Sequence, residues 1–381
     1  MRNITSSASF ADSKPHYEIL DGLRGVAALL VIWYHVFEGF ATSPVDQRFN
    51  HGYLAVDFFF VLSGFVVGYA YDDRWKRMRL GDFFKRRLIR LHPMLVMGVL
   101  LGALSFMVQG SVKWDGTPVA LSDVMLATLL GLFLIPALPG SAPEVRGNGE
   151  MFPLNGPSWS LFFEYIGNVL YALFLRRLST RWLTVWVVLT GAGLASFALF
   201  NLSGFGHLGV GWSLLDYNLP GGLLRMMFSF SVGLLMSRLF KPVHIRGAFW
   251  WCSLGVAILL CVPHLGTGGA WWHNGLYDSL CVLFAFPLLV WLGASGQTTD
   301  HASTRVCKFL GDISYPLYII HYPFMYLFYA WVWRKELSFS QAWPVATAVF
   351  LGSILLAYLC LKLYDEPVRR WLSRKFLERK S

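Results

Sequence analysis

Apolar runs long enough to cross a bilayer recur along this chain, at about 19–40, 53–71, 88–109, 158–176, 181–200, 220–239, 248–263, 276–293, 308–332 and 342–363. Inside hydrocarbon every backbone N–H and C=O must find a partner within the protein, so runs of this length are helices. The chain is therefore read as an all-α, polytopic membrane helical bundle with about ten transmembrane helices. Of its 381 residues, 55% are hydrophobic and only 14% charged, where soluble domains carry about 25% charge.

The formal net charge of +10 sits in short segments between the apolar runs, as orientation signals do, so nucleic acid is excluded as a partner and the lipid bilayer is the expected one. Loop 72–90 holds Arg74, Lys76, Arg77, Arg79, Lys85, Arg86, Arg87 and Arg90 against three aspartates. It belongs in the cytoplasm by the positive-inside rule, and so does the N-terminus two spans earlier. Arg176, Arg177 and Arg181, then Arg238 to Arg246, then the tail with Arg369, Arg370, Arg374, Lys375, Arg379 and Lys380 also belong inside. All can be inside only if the eleventh apolar run, 121–138, interrupted by Pro136 and Pro139, does not cross. That run is expected to be a re-entrant segment buried against protein. The polar N-terminus up to Tyr17 is not followed by a small-residue cleavage site, so no removable signal peptide is expected. The five cysteines show no CxxC spacing, so neither a disulfide framework nor a metal site is expected, and they read as small core residues.

Ionisable groups inside the spans are the candidates for function, because such groups are costly in lipid. Arg24 and His35 lie eleven positions apart in the first run, which places them on one helix face roughly 16 Å apart. Arg24 alone also reads as an interfacial arginine reaching for headgroups. His35 lies near the outer end, at the level of Asp57 in the second run and Glu164 in the fourth. A histidine with a carboxylate is equipped to take a proton from a hydroxyl; a structural ion-pair cluster is the plainer alternative. Arg87 and Arg90, three apart in Lys85-Arg86-Arg87-Leu88-Ile89-Arg90-Leu91-His92-Pro93, share a helix face and suit a phosphate, though such a run also serves as an orientation signal alone. In Leu310-Gly311-Asp312-Ile313-Ser314-Tyr315-Pro316-Leu317-Tyr318-Ile319-Ile320-His321-Tyr322-Pro323, Tyr318 and His321 share a face. A hydrogen-bonded packing cluster in a proline-bent helix would account for them equally.

Four of these segments together resemble the acyltransferase 3 family of integral-membrane O-acyltransferases. They are the opening run with Arg24 and His35, Val56-Asp57-Phe58-Phe59-Phe60-Val61-Leu62-Ser63-Gly64-Phe65, the segment from Arg86 to Pro93, and the segment from Gly311 to Pro323. Trp159-Ser160-Leu161-Phe162-Phe163-Glu164 is similar to a fifth, and the likeness runs in order from about 17 to 366. Phe162-Phe163 and Met94 depart from the residues common in the family at those places.

The resemblance implies transfer of an acyl group, often acetyl, from cytoplasmic acyl-CoA to a hydroxyl of a carbohydrate or glycoconjugate of the cell envelope. It implies a multi-pass protein of a bacterial inner membrane, with acyl-CoA as co-substrate and no cofactor. His35, Glu164 and Asp57 are then expected to be catalytic. Arg24, Arg87 and Arg90 are expected to bind the donor, with Ser63, Ser314, Tyr315, Tyr318 and His321 in support. The expected layout is a cytoplasmic N-terminal tail over 1–18, an integral-membrane acyltransferase domain over 19–366 and a basic cytoplasmic tail over 367–381. Some relatives carry an appended extracytoplasmic hydrolase-like domain. None is expected here, so the membrane domain acts alone or with a separate extracytoplasmic acyl-transfer partner. Two other classes compete: a transporter or flippase, for which no repeated halves are visible, and a non-catalytic sensor or scaffold, which has no use for the histidine and carboxylates.

Overall fold

The computed structural model describes residues 14, 16–42, 46, 47, 49, 51–243, 245–265, 270–298 and 300–377. Most of the expected N-terminal tail, and Arg379 and Lys380 of the basic tail, lie outside them. The described residues form α1 (Glu18–Glu38), α2 (Ala55–Tyr71), α3 (Leu80–Gln109), α4 (Leu121–Leu132), α5 (Ser158–Leu173), α6 (Thr180–Leu199) and α7 (Asn218–Leu239). There follow α8 (Ala248–Cys261), α9 (Trp272–Leu280), α10 (Phe286–Ser295), α11 (His301–Ile320), α12 (Tyr322–Arg334), α13 (Phe339–Cys360) and α14 (Glu366–Phe376). Among the described residues there is no strand, so the chain is an all-α polytopic bundle.

Among the described residues, eight segments are long and apolar enough to cross a membrane: α1, α2 with its lead-in, α3, α5, α6, α7, α9 running into α10, and α13 running into α14. The last two are each made continuous by a π-helical turn, at Cys281–Ala285 and Leu361–Asp365. Two of the ten expected spans take another form. The run at 248–263 is a helix of 14 residues, about 21 Å long and short of a ~30 Å hydrocarbon core. The run at 308–332 is two helices, α11 and α12, parted at His321. Pro323 lacks the N–H that would continue the ladder there, and α11 carries Arg305, Lys308 and Asp312, so it is no uniform apolar rod. Within 121–138 only Leu121–Leu132 is helical; twelve residues rise about 18 Å, too little to cross.

Glycines set the two closest helix contacts. On α1, a Cβ at Gly25 would lie 2.4 Å from the Leu310 carbonyl oxygen of α11, and one at Gly311 would lie 2.6 Å from Asp21 Cβ. Between α2 and α7, a Cβ at Gly64 would lie 1.9 Å from Phe230 O, and one at Gly233 would lie 2.1 Å from Val61 O. Apolar burial gains little between helices in lipid, so backbones this close are held by van der Waals packing that only small residues permit. The first contact brings Arg24 and His35 of α1 toward Tyr318 and His321 of the α11–α12 break. The second fixes Asp57 and Ser63 of α2. All five cysteines are free, and Cys252, Cys281, Cys307 and Cys360 are buried in the packing.

Candidate active site

A cavity of about 490 Å³ opens between α1, α2, α3, α5, α11 and the α13–α14 junction, toward the end of the bundle that carries the basic α2–α3 connection. Arg24, Arg87 and Arg90 all line it, so the three guanidinium groups picked out by spacing do converge. Two of them are already engaged. Arg24 Nη1 lies 3.0 Å from Asp21 Oδ1. Arg87 Nη2 donates to Glu164 Oε1 at 2.6 Å, and the same oxygen accepts the Ser63 hydroxyl at 2.5 Å and the Asn168 amide at 3.4 Å.

Arg90 is different. It makes no hydrogen bond or ion pair with any described residue, and its charged surroundings include Arg24 and Arg87, which oppose it, as well as Asp21. Its side chain is exposed and lines this open cavity. Five donors in a fixed planar fork stand ready for an anion. At the rim, His16 Nε2 lies 2.7 Å from Asp21 Oδ2, and that bond holds the imidazole above its ordinary pKa.

Ser314 and Tyr315 belong to the wall. The Ser314 hydroxyl donates to Gly311 O at 2.8 Å and the Tyr315 hydroxyl to Leu91 O at 2.5 Å, the latter pinning α11 to α3. Farther in, the hydroxyls of Tyr318 and Ser160 share a hydrogen bond of 2.7 Å, and both line the cavity.

Beyond Tyr318 lie the two histidines. His321 is fully buried, one turn along from Tyr318, and its ring sits 5.5 Å from that of His35 between centroids. The carboxylate bonded to His35 is neither Asp57 nor Glu164. It is Glu38, one turn onward in the same helix, whose Oε2 accepts from His35 Nδ1 at 2.6 Å. The Tyr329 hydroxyl lies 2.9 Å from that oxygen and 2.8 Å from the His35 carbonyl, and the Tyr322 hydroxyl is 3.5 Å from Glu38. With Nδ1 donating, His35 is in the tautomer whose Nε2 carries a lone pair. Nε2 makes no hydrogen bond with the described residues. His35 thus has the geometry of an oriented base.

The expectation that Asp57 or Glu164 orients the His35 ring is corrected by these contacts. Asp57 is completely buried and takes Arg225 Nε on both oxygens at 3.1 Å and Nη2 at 2.6 Å. Arg225 spends its other donors on Val210 O at 2.6 Å and Tyr53 O at 2.7 Å. A buried pair satisfied this fully joins α2 to α7 and leaves no lone pair directed at His35. Glu164 faces Arg87 across the donor-side cavity. Arg225 and Glu38 were not singled out from the sequence. Arg225 is an intramembrane arginine and so carried its own signal, and Glu38 carried the three-residue spacing from His35.

The far end of the polar line is closed by the segment before α5. Arg146 is wholly buried, with its guanidinium 3.6 Å from the Tyr326 ring centre and Nε donating to Pro153 O at 2.9 Å. Tyr326 in turn bonds Glu150, whose carboxyl burial pushes above its usual range.

Comparison with known proteins identifies the family. The family model described as "Acyltransferase domain" matches residues 17–362. A Rhizobium radiobacter protein named "Protein 2 in picA locus" is 35% identical over 43% of this chain and 84% of its own length. "Acyltransferase MdmB" of Streptomyces mycarofaciens is 24% identical over 93% of this chain and 92% of its own. A Staphylococcus aureus (strain COL) protein whose name reads "Putative O-acetyltransferase" is 23% identical over 80% of this chain, a match that spans 50% of that relative. No solved structure matches. The chain belongs to the acyltransferase 3 family and is an acyltransferase.

Proposed function

We propose that this acyltransferase moves an acetyl group from cytoplasmic acyl-CoA to a hydroxyl of a carbohydrate or glycoconjugate of the bacterial envelope, working from the inner membrane with both termini inside. The observation that carries the donor assignment is Arg90, a guanidinium with no hydrogen bond or ion pair to the described residues, beside Arg24 and Arg87 in a cavity of about 490 Å³. Arg24 and Arg87 have Asp21 and Glu164 as counter-ions, whereas Arg90 has no paired carboxylate among the described residues and suits an anionic donor, such as a phosphate of coenzyme A. Phosphate binding at Arg90 and Arg24 directs the thioester toward Ser160 and Tyr318.

The acceptor hydroxyl then approaches from the His35 side. His35 Nε2 takes its proton as the oxygen attacks the thioester carbonyl, and Glu38 stabilises the imidazolium that forms. Glu164 keeps Arg87 and Ser63 in place on the donor side. The integral-membrane acyltransferase domain spans 19–366 in this reading and acts alone or hands the acyl group to a separate extracytoplasmic partner. The test is ester content of envelope glycans, by mass spectrometry, in strains with and without the gene. Loss of one acetyl ester on deletion, restored by the wild type and not by His35→Ala, is expected; unchanged ester content refutes the reading.

A further inference from the structure

The cavity ends at Ser160 and Tyr318, and neither His35 nor His321 lines it. A thioester lodged there is one side-chain layer from the base proposed above. His321 fills that layer, one turn from Tyr318 and ring to ring with His35 at 5.5 Å and a 30° tilt.

The hydrogen bonds of His321 fix its tautomer. Its Nδ1 lies 2.9 Å from Tyr318 O and 3.1 Å from Leu317 O, two acceptors and nothing else, so Nδ1 bears the proton. Nε2 is then a lone-pair nitrogen, and in a side chain with no exposed surface it has no hydrogen-bond partner among the described residues. Leaving a buried acceptor unpaired costs about 1–3 kcal/mol. The Leu317 and Tyr318 carbonyls at the end of α11 hold the ring in this orientation, between the His35 ring and that of Tyr318.

We propose that His321 is a second catalytic residue, which carries the proton from His35 to the departing sulfur. Resting on the acyl-CoA reading above, the step balances as follows. The acceptor O–H breaks and its proton goes to His35 Nε2; the O–C bond forms. The C–S bond breaks with its electron pair on sulfur. The proton then passes from His35 to His321 Nε2 and on to the thiolate, giving free coenzyme A and both histidines in their starting forms. An alkyl thiol titrates at about 8.5, so near neutrality the departing sulfur ends as the thiol and takes up that proton.

The test separates acid from base through the leaving group. The purified full chain is assayed for acetyl transfer to envelope glycan from a strain lacking the gene, with acetyl-CoA and with p-nitrophenyl acetate, whose phenolate departs at neutral pH unprotonated. His321→Asn keeps an amide to donate to the two carbonyls and removes the bare nitrogen. His321→Gln, which restores an acceptor that cannot carry a proton, is the second variant should Asn fold poorly. Either variant is expected to lose at least about 100-fold with acetyl-CoA, within the range of acid–base contributions, and less than about 10-fold with the nitrophenyl ester. His35→Ala is expected to lose both. Equal losses with the two donors, or full activity of the His321 variants with acetyl-CoA, overturn the proposal. Full activity of His35→Ala overturns instead the base assignment on which it stands.

Discussion

Arg90→Ala is the substitution whose outcome the structure specifies most sharply. Most arginines of this site cannot be removed cleanly, because Arg87→Ala would strand Glu164 and Arg24→Ala would strand Asp21. Arg90 leaves no hydrogen-bonded or ion-paired partner behind among the described residues, and its removal relieves repulsion from Arg24 and Arg87 while giving up a longer-range attraction to Asp21. Folding stability should therefore hold or rise slightly while the donor is lost. One charge-assisted hydrogen bond to phosphate contributes about 1.5–3 kcal/mol, which corresponds to a rise in donor Kd of roughly 10- to 150-fold. Arg90→Lys keeps the charge without the planar fork and should recover only part of that. Coenzyme A titration calorimetry on detergent-purified protein gives Kd, and a thermal melt on the same sample gives stability. Unchanged donor affinity in a stable Arg90→Ala protein refutes the argument and returns the arginine run to an orientation signal. A fall in melting temperature would show instead that Arg90 has a structural partner.

Glu38→Gln keeps a hydrogen-bond acceptor for His35 but removes the charge that steadies its imidazolium, so kcat should fall about tenfold or more with donor KM unchanged; a KM effect alone would place Glu38 in binding. Gly64→Ala puts a Cβ 1.9 Å from Phe230 O, and the backbone shift it forces should destabilise the protein by about 1–3 kcal/mol or more, read as a lower melting temperature. Exposed Thr117 and Ala142 flank α4. Replaced singly by cysteine in a chain cleared of its native cysteines, both should react with an impermeant thiol reagent from the same side. Labelling from opposite sides would show that 121–138 crosses.

The helical bundle, its apolar segments and the face shared by Arg24 and His35 were legible because they follow from period and length, which are local properties of a helix. Convergence of Arg87 and Arg90 was legible for the same reason. The partners were not. Asp57 and Glu164 stood at the level of His35 along the bundle axis, but level does not fix azimuth. The glycine contact between α2 and α7 turns Asp57 onto Arg225, while Glu164 meets an arginine of α3 that enters from the opposite end. The break at His321 was visible only as two prolines in an apolar run, and its consequence, a lone-pair nitrogen held by carbonyls, depends on atomic orientation that no pattern of residues encodes.

The central claim is that acetyl passes from a donor at the arginine cavity to a hydroxyl on the His35 side. Proteoliposomes carrying the purified protein, with envelope glycan from a deletion strain trapped inside and [14C]acetyl-CoA added outside, test it directly. Molecules oriented with the basic connection outward should label the trapped glycan, and His35→Ala should leave it unlabelled while still binding coenzyme A. Absence of label with the wild type, or equal labelling by His35→Ala, would contradict the account.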